Sequence, residues 1–129
     1  MGLSYELTDG LLQFQAVGDV EFLEGLAILR AGLGRAAMDP IPGGWPILFD
    51  IRFSQESRTA DDLRVIARIV GEYRLSLSGY CAIVVSTPLY HGLGRMAAVF
   101  LESAGLETMI FNEIEAAAEW LREPTGVGA

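Results

Sequence analysis

Two short apolar runs, each followed by a polar loop and then an amphipathic helix, constrain the fold of this chain most strongly. They are residues 47–49 and 81–85. Apolar runs of this length are typical of strands that are covered on both faces. Strands that alternate with helices predict parallel β-α-β crossovers, whose strand-end loops meet at one edge of the sheet. We expect any function at that edge, formed by residues 52–59 and 86–95 and called the rim below.

A β-hairpin is expected at the start of the chain. Segments 4–8 and 11–17 flank Asp9 and Gly10, the dipeptide that favours a two-residue type I′ turn. Apolar and polar residues alternate in the second segment, which is typical of a strand with one exposed face. The expected short last strand is segment 108–111.

Four helices are expected, and each of them begins at a polar residue that can accept hydrogen bonds from free N–H groups. Gly105 is the expected left-handed cap at the end of the third helix. The expected N-caps are Asp19 in the first helix, Thr59 in the second, Ser86 or Thr87 in the third and Asn112 in the fourth.

These elements predict an α/β fold with a five-stranded mixed sheet and four helices. The N-terminal hairpin comes first, and right-handed parallel crossovers then extend the sheet, with most helices on one face. We expect one domain over residues 1–123 and a flexible C-terminal tail over residues 124–129.

Charge and cysteine content exclude several classes of function. The chain has 129 residues and a formal net charge of −8, and its nine basic residues are all arginine. Such an acidic chain argues against nucleic acid as a partner. Cys81 lies inside an apolar run, so we expect a buried hydrophobic residue rather than a reactive thiol. No apolar run approaches the length of a membrane span, and no leader segment is evident, so a cytoplasmic location is expected.

The element order and four short motifs resemble the SpoIIAA-like (STAS/SEC14-type) family. The motifs are the apolar strand with its aspartate at 47–52, the strand at 82–85, the glycine-rich helix start at 90–96 and the closing segment at 111–121. The resemblance spans about residues 5–121. It implies a five-stranded sheet with helices packed on it, and often no assigned activity.

Relatives of this type that act as anti-sigma-factor antagonists imply a regulatory function. They bind a partner kinase through the loop after strand three, and phosphorylation of a serine at the next helix start stops that binding. Their loop carries Asp-Ser-Ser-Gly, whereas residues 58–61 here are Arg-Thr-Ala-Asp. Thr59 is the nearest positional match and Ser57 the next, so both are phosphorylation candidates.

The candidate binding residues are the polar and charged side chains at the rim. Asp50 follows a buried strand, where it can act on a ligand or form an ion pair with Arg52, Arg58 or Arg95. The full set of ligand- or partner-binding candidates is Asp50, Arg52, Ser54, Ser57, Arg58, Thr59, Ser86, Thr87, Tyr90, His91 and Arg95.

Three functions are compatible with these residues. We favour a non-enzymatic binding or regulatory module whose rim binds a regulatory protein or a small apolar or anionic ligand. The alternative is a SEC14-like carrier of a lipid or another apolar molecule. The third is an enzyme that uses His91 and Arg95, although no nucleophile–base pair is evident and no catalytic residue is assigned.

Neither a cofactor nor a metal ion is expected. The chain has one histidine and one cysteine, which is too few for the usual zinc ligand sets. Residues 92–94 lack the third glycine of a dinucleotide-binding loop. A homodimer is also considered, with Trp45, Tyr80 and Trp120 as candidates for an exposed aromatic patch.

Overall fold

The computed structural model describes residues 2–55 and 58–123. A five-stranded sheet and four α-helices account for most of this part of the chain. In chain order the elements are β1 Gly2–Thr8, β2 Leu11–Gly18, α1 Phe22–Met38, β3 Trp45–Ser54, α2 Ala60–Glu72, a 3-10 turn Arg74–Ser76, β4 Leu77–Val84, α3 Pro88–Ser103, β5 Glu107–Phe111 and α4 Ile114–Arg122.

The sheet has the order β1-β2-β3-β4-β5, so each new strand is added beside the previous one. β1 and β2 are antiparallel, and the remaining neighbours are parallel. This mixed sheet confirms the predicted fold class. Since successive crossovers have the same hand, α1, α2 and α3 lie on one face of the sheet. α4 covers the other face.

Coverage of both faces explains the uninterrupted apolar runs of β3 and β4. Ile47 and Ile83 contribute to the core beneath α1–α3, whereas Leu48 and Val84 contribute to the core beneath α4. All four are at most 3% exposed. Cys81 is also fully buried, and burial raises the pKa of its thiol, so it serves as a small apolar residue.

Several local predictions are confirmed in detail. Asp9 and Gly10 have φ of 52° and 75°, as a type I′ turn requires. Gly105 has φ of 99°, and the Leu106 N–H donates to the Leu101 carbonyl over 3.0 Å, as in a Schellman motif. Thr59 forms the expected capping box at the start of α2.

Two predicted N-caps are wrong. α1 begins at Phe22 because the Glu21 carboxylate, not that of Asp19, accepts the free N–H groups of its first turn. Val20 between them is buried, which keeps this segment out of the helix. α4 is capped by Glu113 rather than Asn112, without a side-chain hydrogen bond.

β3 is longer than the predicted apolar run of residues 47–49. Its pairing with β2 continues to Ser54, which lies opposite Gly18. The backbone N–H of Gln55 then donates to the Gly18 carbonyl over 2.8 Å. Asp50 therefore lies within the strand and not at its end.

The proposed aromatic patch is not present. Trp45 and Trp120 are 6% and 7% exposed, and the Tyr80 ring meets the Trp120 ring edge-on with centroids 5.7 Å apart. Within residues 2–55 and 58–123, none of the helices combines the length and hydropathy of a bilayer-spanning segment.

Gly32 allows α1 to approach the sheet closely. A Cβ atom at this position would lie 2.7 Å from the Phe14 ring. We therefore expect Gly32→Ala to destabilise the protein by about 1–3 kcal/mol through overpacking, although alanine favours helix. Gly34 on the same helix has nothing within 4 Å of a Cβ, so Gly34→Ala is the matched control. Urea unfolding measures both variants, and a Gly32→Ala variant as stable as Gly34→Ala would contradict the close contact.

Candidate functional site

The exits of β3 and β4 lie at the same edge of the sheet. Asp50 is in register with Val84, so both strands run toward the rim side by side. The Ser86 hydroxyl donates to the Arg52 carbonyl over 3.0 Å and connects the loop after β4 to β3. The rim is therefore one continuous edge, with different chemistry on its two faces.

A buried ion pair occupies the α4 side of this edge. Asp50 is fully buried, and its carboxylate accepts two hydrogen bonds of 2.9 Å from the Arg52 guanidinium. The Arg52 backbone N–H and the Gln15 side-chain amide also donate to it, over 3.2 Å and 3.1 Å. Of the three arginines considered as partners, Arg52 is thus the one that forms the ion pair.

These four donors decide the charge of Asp50. Burial raises the pKa of the carboxyl, but the hydrogen bonds from Arg52 and Gln15 lower it by more, so the pKa lies below its usual range. Asp50 in turn raises the pKa of Arg52, and Glu115 and Glu113 add to this effect. The pair is ionised at neutral pH, and two N–H groups of the Arg52 guanidinium bind Asp50.

An apolar pocket lies on the opposite face, between the sheet and α1–α3. Its volume is about 140 Å³, and all of its lining residues except Ser54 and Arg58 are apolar. It is lined by Leu3, Ala16, Val20, Phe22, Gly25, Leu26, Leu29, Phe49, Ile51, Leu63, Ile66, Ile83, Leu93, Gly94, Ala97 and Leu101, with Ser54 and Arg58.

Arg58 is the one cation among the residues that line this pocket. One guanidinium nitrogen donates to the Val20 carbonyl over 2.6 Å, and the guanidinium lies over the Phe22 ring, 5.2 Å from its centroid. The side chain is only half-buried. A fixed, partly solvated cation thus lies beside an otherwise apolar space.

The other predicted rim residues are divided among several positions. The hydroxyls of Thr59 and Thr87 cap α2 and α3, and both residues are exposed. Ser54 is 5% exposed and lies within β3 rather than in the loop that follows it. Ser57 lies outside the described residues.

The three candidates on α3 differ in their exposure. His91 and Arg95 are exposed, whereas Tyr90 is half-buried and packs against the core. Among residues 2–55 and 58–123, no group of three histidine, cysteine or acidic side chains could hold a metal ion.

The candidates chosen from the sequence were polar and charged residues of the rim, so of the pocket lining they include only Ser54 and Arg58. The walls of the pocket come from the apolar faces of the sheet and of α1, α2 and α3. An apolar face has the same sequence pattern whether it packs against another element or borders a cavity. Gly94 lines the pocket, and a Cβ there would make an ordinary van der Waals contact of 3.5 Å with Ile110. Gly92 has open space around it.

Comparison with solved structures supports the fold. The chain is similar to an uncharacterised protein of the DUF3478 family from Shewanella loihica PV-4, whose crystal structure has a SpoIIAA-like fold. The identity is 20%, the TM-score is 0.59, and the match covers 93% of this chain and 94% of that one. No protein-family model matches the chain, and no curated protein matches it. The predicted SpoIIAA-like fold is thereby confirmed, as a fold alone.

Replacing Asp50 should affect stability and its pH dependence together. Asp50→Asn leaves Arg52 without its carboxylate, so we expect a loss of about 2–3 kcal/mol, which is less than for a fully buried pair because Arg52 is 26% exposed. In the native protein the depressed pKa of Asp50 stabilises the fold above the unfolded pKa of about 4. That contribution decreases as the pH falls toward the folded pKa.

Urea unfolding between about pH 2 and 7 tests this prediction. The Asp50→Asn variant should lose stability less steeply on acidification than the native protein. Glu72→Gln is the matched control, since Glu72 pairs with Arg30 over 3.0 Å with both side chains about half exposed, and it should change stability by less than about 1 kcal/mol. An Asp50→Asn variant with native stability and native acid dependence would refute the assignment.

Proposed function

We propose that this protein is a STAS-type binding module that takes a small amphipathic ligand into the apolar pocket between the sheet and α1–α3. The observation that carries the proposal is the pocket itself, which has an almost entirely apolar lining and lies at the rim end of the parallel strands. In open α/β sheets ligands bind preferentially at this edge.

The size of the pocket limits the ligand. At about 140 Å³ it is close to the roughly 150 Å³ of an apolar cavity that stays dry and binds benzene in another protein. A single ring or a chain of about six carbons would fill it. The proposed ligand is therefore a short apolar group, or the end of a longer one.

Arg58 supports an anionic head on that ligand. Its guanidinium lies beside the pocket and donates a hydrogen bond to the Val20 carbonyl, and its other N–H groups can bind a carboxylate or phosphate oxygen. Stacking on Phe22 holds it in place at little entropic cost. The ligand class that fits both parts is a short-chain carboxylate or a related amphipathic anion.

Binding explains the arrangement better than catalysis does. His91 and Arg95 are exposed on α3, whereas Leu93 and Ala97, on the same helix, line the pocket. A catalytic pair needs a positioned partner within hydrogen-bond reach of the reacting group. A regulatory protein partner and phosphorylation of Thr59 or Ser57 stay predictions, as does the cytoplasmic location.

Titration of isotopically labelled protein with hexanoate and with hexanol tests the proposal by NMR. Both ligands should shift the amide signals of pocket residues such as Ile83 and Leu93, with hexanoate bound more tightly. Arg58→Gln should weaken hexanoate several-fold and leave hexanol unchanged. If Arg58→Gln affects both ligands equally, the head contact is wrong while the pocket proposal stands.

Filling the pocket should abolish binding without unfolding the protein. Ala97→Leu places three more carbons in the space, so hexanol affinity should fall at least about ten-fold while the thermal midpoint stays the same or rises. Ala98→Leu is the control, because Ala98, which follows Ala97 on the same helix, does not line the pocket. Binding that survives Ala97→Leu, or no amide shifts with either ligand, would refute the pocket proposal.

A further inference from the structure

The outer surface of α3 carries an exposed apolar stripe. Leu89, Met96 and Val99 are 76%, 39% and 60% exposed. With Gly92 and Ser103 they are spaced three, four, three and four residues apart, the spacing of a coiled-coil seam. The buried residues of α3, Gly94 and Leu101, lie on its opposite side.

We propose that the part of this stripe formed by Gly92, Met96, Val99 and Ser103 is a dimerisation surface that pairs with α3 of a second copy of this chain in antiparallel orientation. In such a pair a two-fold axis crosses the helix near residue 98, and Met96 of each copy faces Val99 of the other. Gly92 then faces Ser103, so that the two backbones approach closely at both ends of the contact.

The charges beside the stripe specify this orientation. Arg95 and Glu102 lie on the same flank, one heptad apart, and both are exposed. Antiparallel pairing brings Arg95 of each copy against Glu102 of the other, which gives two identical ion pairs. A parallel pairing would instead place Arg95 beside Phe100, without a charge partner.

A second copy fits this surface better than an anionic bilayer does. The chain has a net charge of −8, which repels an anionic surface, and Arg95 is the one arginine of α3. The two symmetric ion pairs beside the apolar seam also need charged groups at fixed positions on the partner. A second copy has such groups, and a lipid surface does not. The inference does not depend on the proposed ligand, because the pocket lies on the inner side of α3.

The dimer should be weak. α3 has 16 residues and is therefore about 24 Å long. One pair of such helices buries less than the roughly 1,200 Å² of a standard interface, so we expect a dissociation constant on the order of tens to hundreds of micromolar.

Sedimentation equilibrium from about 1 µM to about 1 mM protein tests the proposal. The native protein should dimerise, and Arg95→Glu should weaken the dimer at least about ten-fold, since it replaces two attractive pairs by two repulsive ones. The charge swap Arg95→Glu with Glu102→Arg should restore the native dissociation constant. In the antiparallel contact the swap restores both ion pairs.

Two further variants test whether dimerisation depends on this stripe or on any exposed apolar side chain. Val99→Ser should weaken the dimer, whereas Met38→Ser removes an apolar side chain that is 84% exposed on α1 and should leave it unchanged. Circular dichroism confirms that each variant is folded. A protein that is monomeric at every concentration, a dimer that is insensitive to Arg95→Glu, or a charge swap without rescue would overturn the proposal. So would binding of the monomer to phosphatidylcholine vesicles that Val99→Ser abolishes.

Discussion

Burial of β3 and β4 on both faces is the constraint on which the rest of the structure depends. Neither strand can lie at an edge or face water, so helices must cover both sides, and crossovers of one hand put α1, α2 and α3 together. The same arrangement sends both strands to a common edge. Asp50 and Arg52 are then on one face of β3, and Phe49 and Ile51 on the other, which gives the edge a charged side and an apolar side.

Periodicity and local chemistry made most of the fold predictable. The type I′ dipeptide, the capping box at Thr59 and the left-handed Gly105 each act within a few residues, so the structure reproduces them. The predicted N-cap Asp19 failed because a tertiary interaction overrides local preference: burial of Val20 delays the helix start to Phe22. The end of β3 was misplaced for a similar reason, since pairing with β2 continues through polar residues.

The candidate site was less predictable than the fold. The sequence predicted an ion pair between Asp50 and one of three arginines, but spacing alone could not identify which one. Arg52 is the partner because it lies on the same face of β3 as Asp50. Of the polar candidates only Ser54 and Arg58 line the pocket, because it is the space that the apolar faces of the sheet and three helices leave between them. Such a space depends on how side chains from distant segments fit together, and that information is not present in any single segment.

Because the pocket between the sheet and α1–α3 is not completely filled, a molecule bound in it would also stabilise the folded chain. A well-packed core gains dispersion energy from every neighbouring atom, and the walls of this space lack some of those contacts. A molecule that supplies them binds the folded chain and not the unfolded one, so it shifts the folding equilibrium in proportion to its concentration. The cellular lifetime of the protein would then depend on how much of that molecule is present.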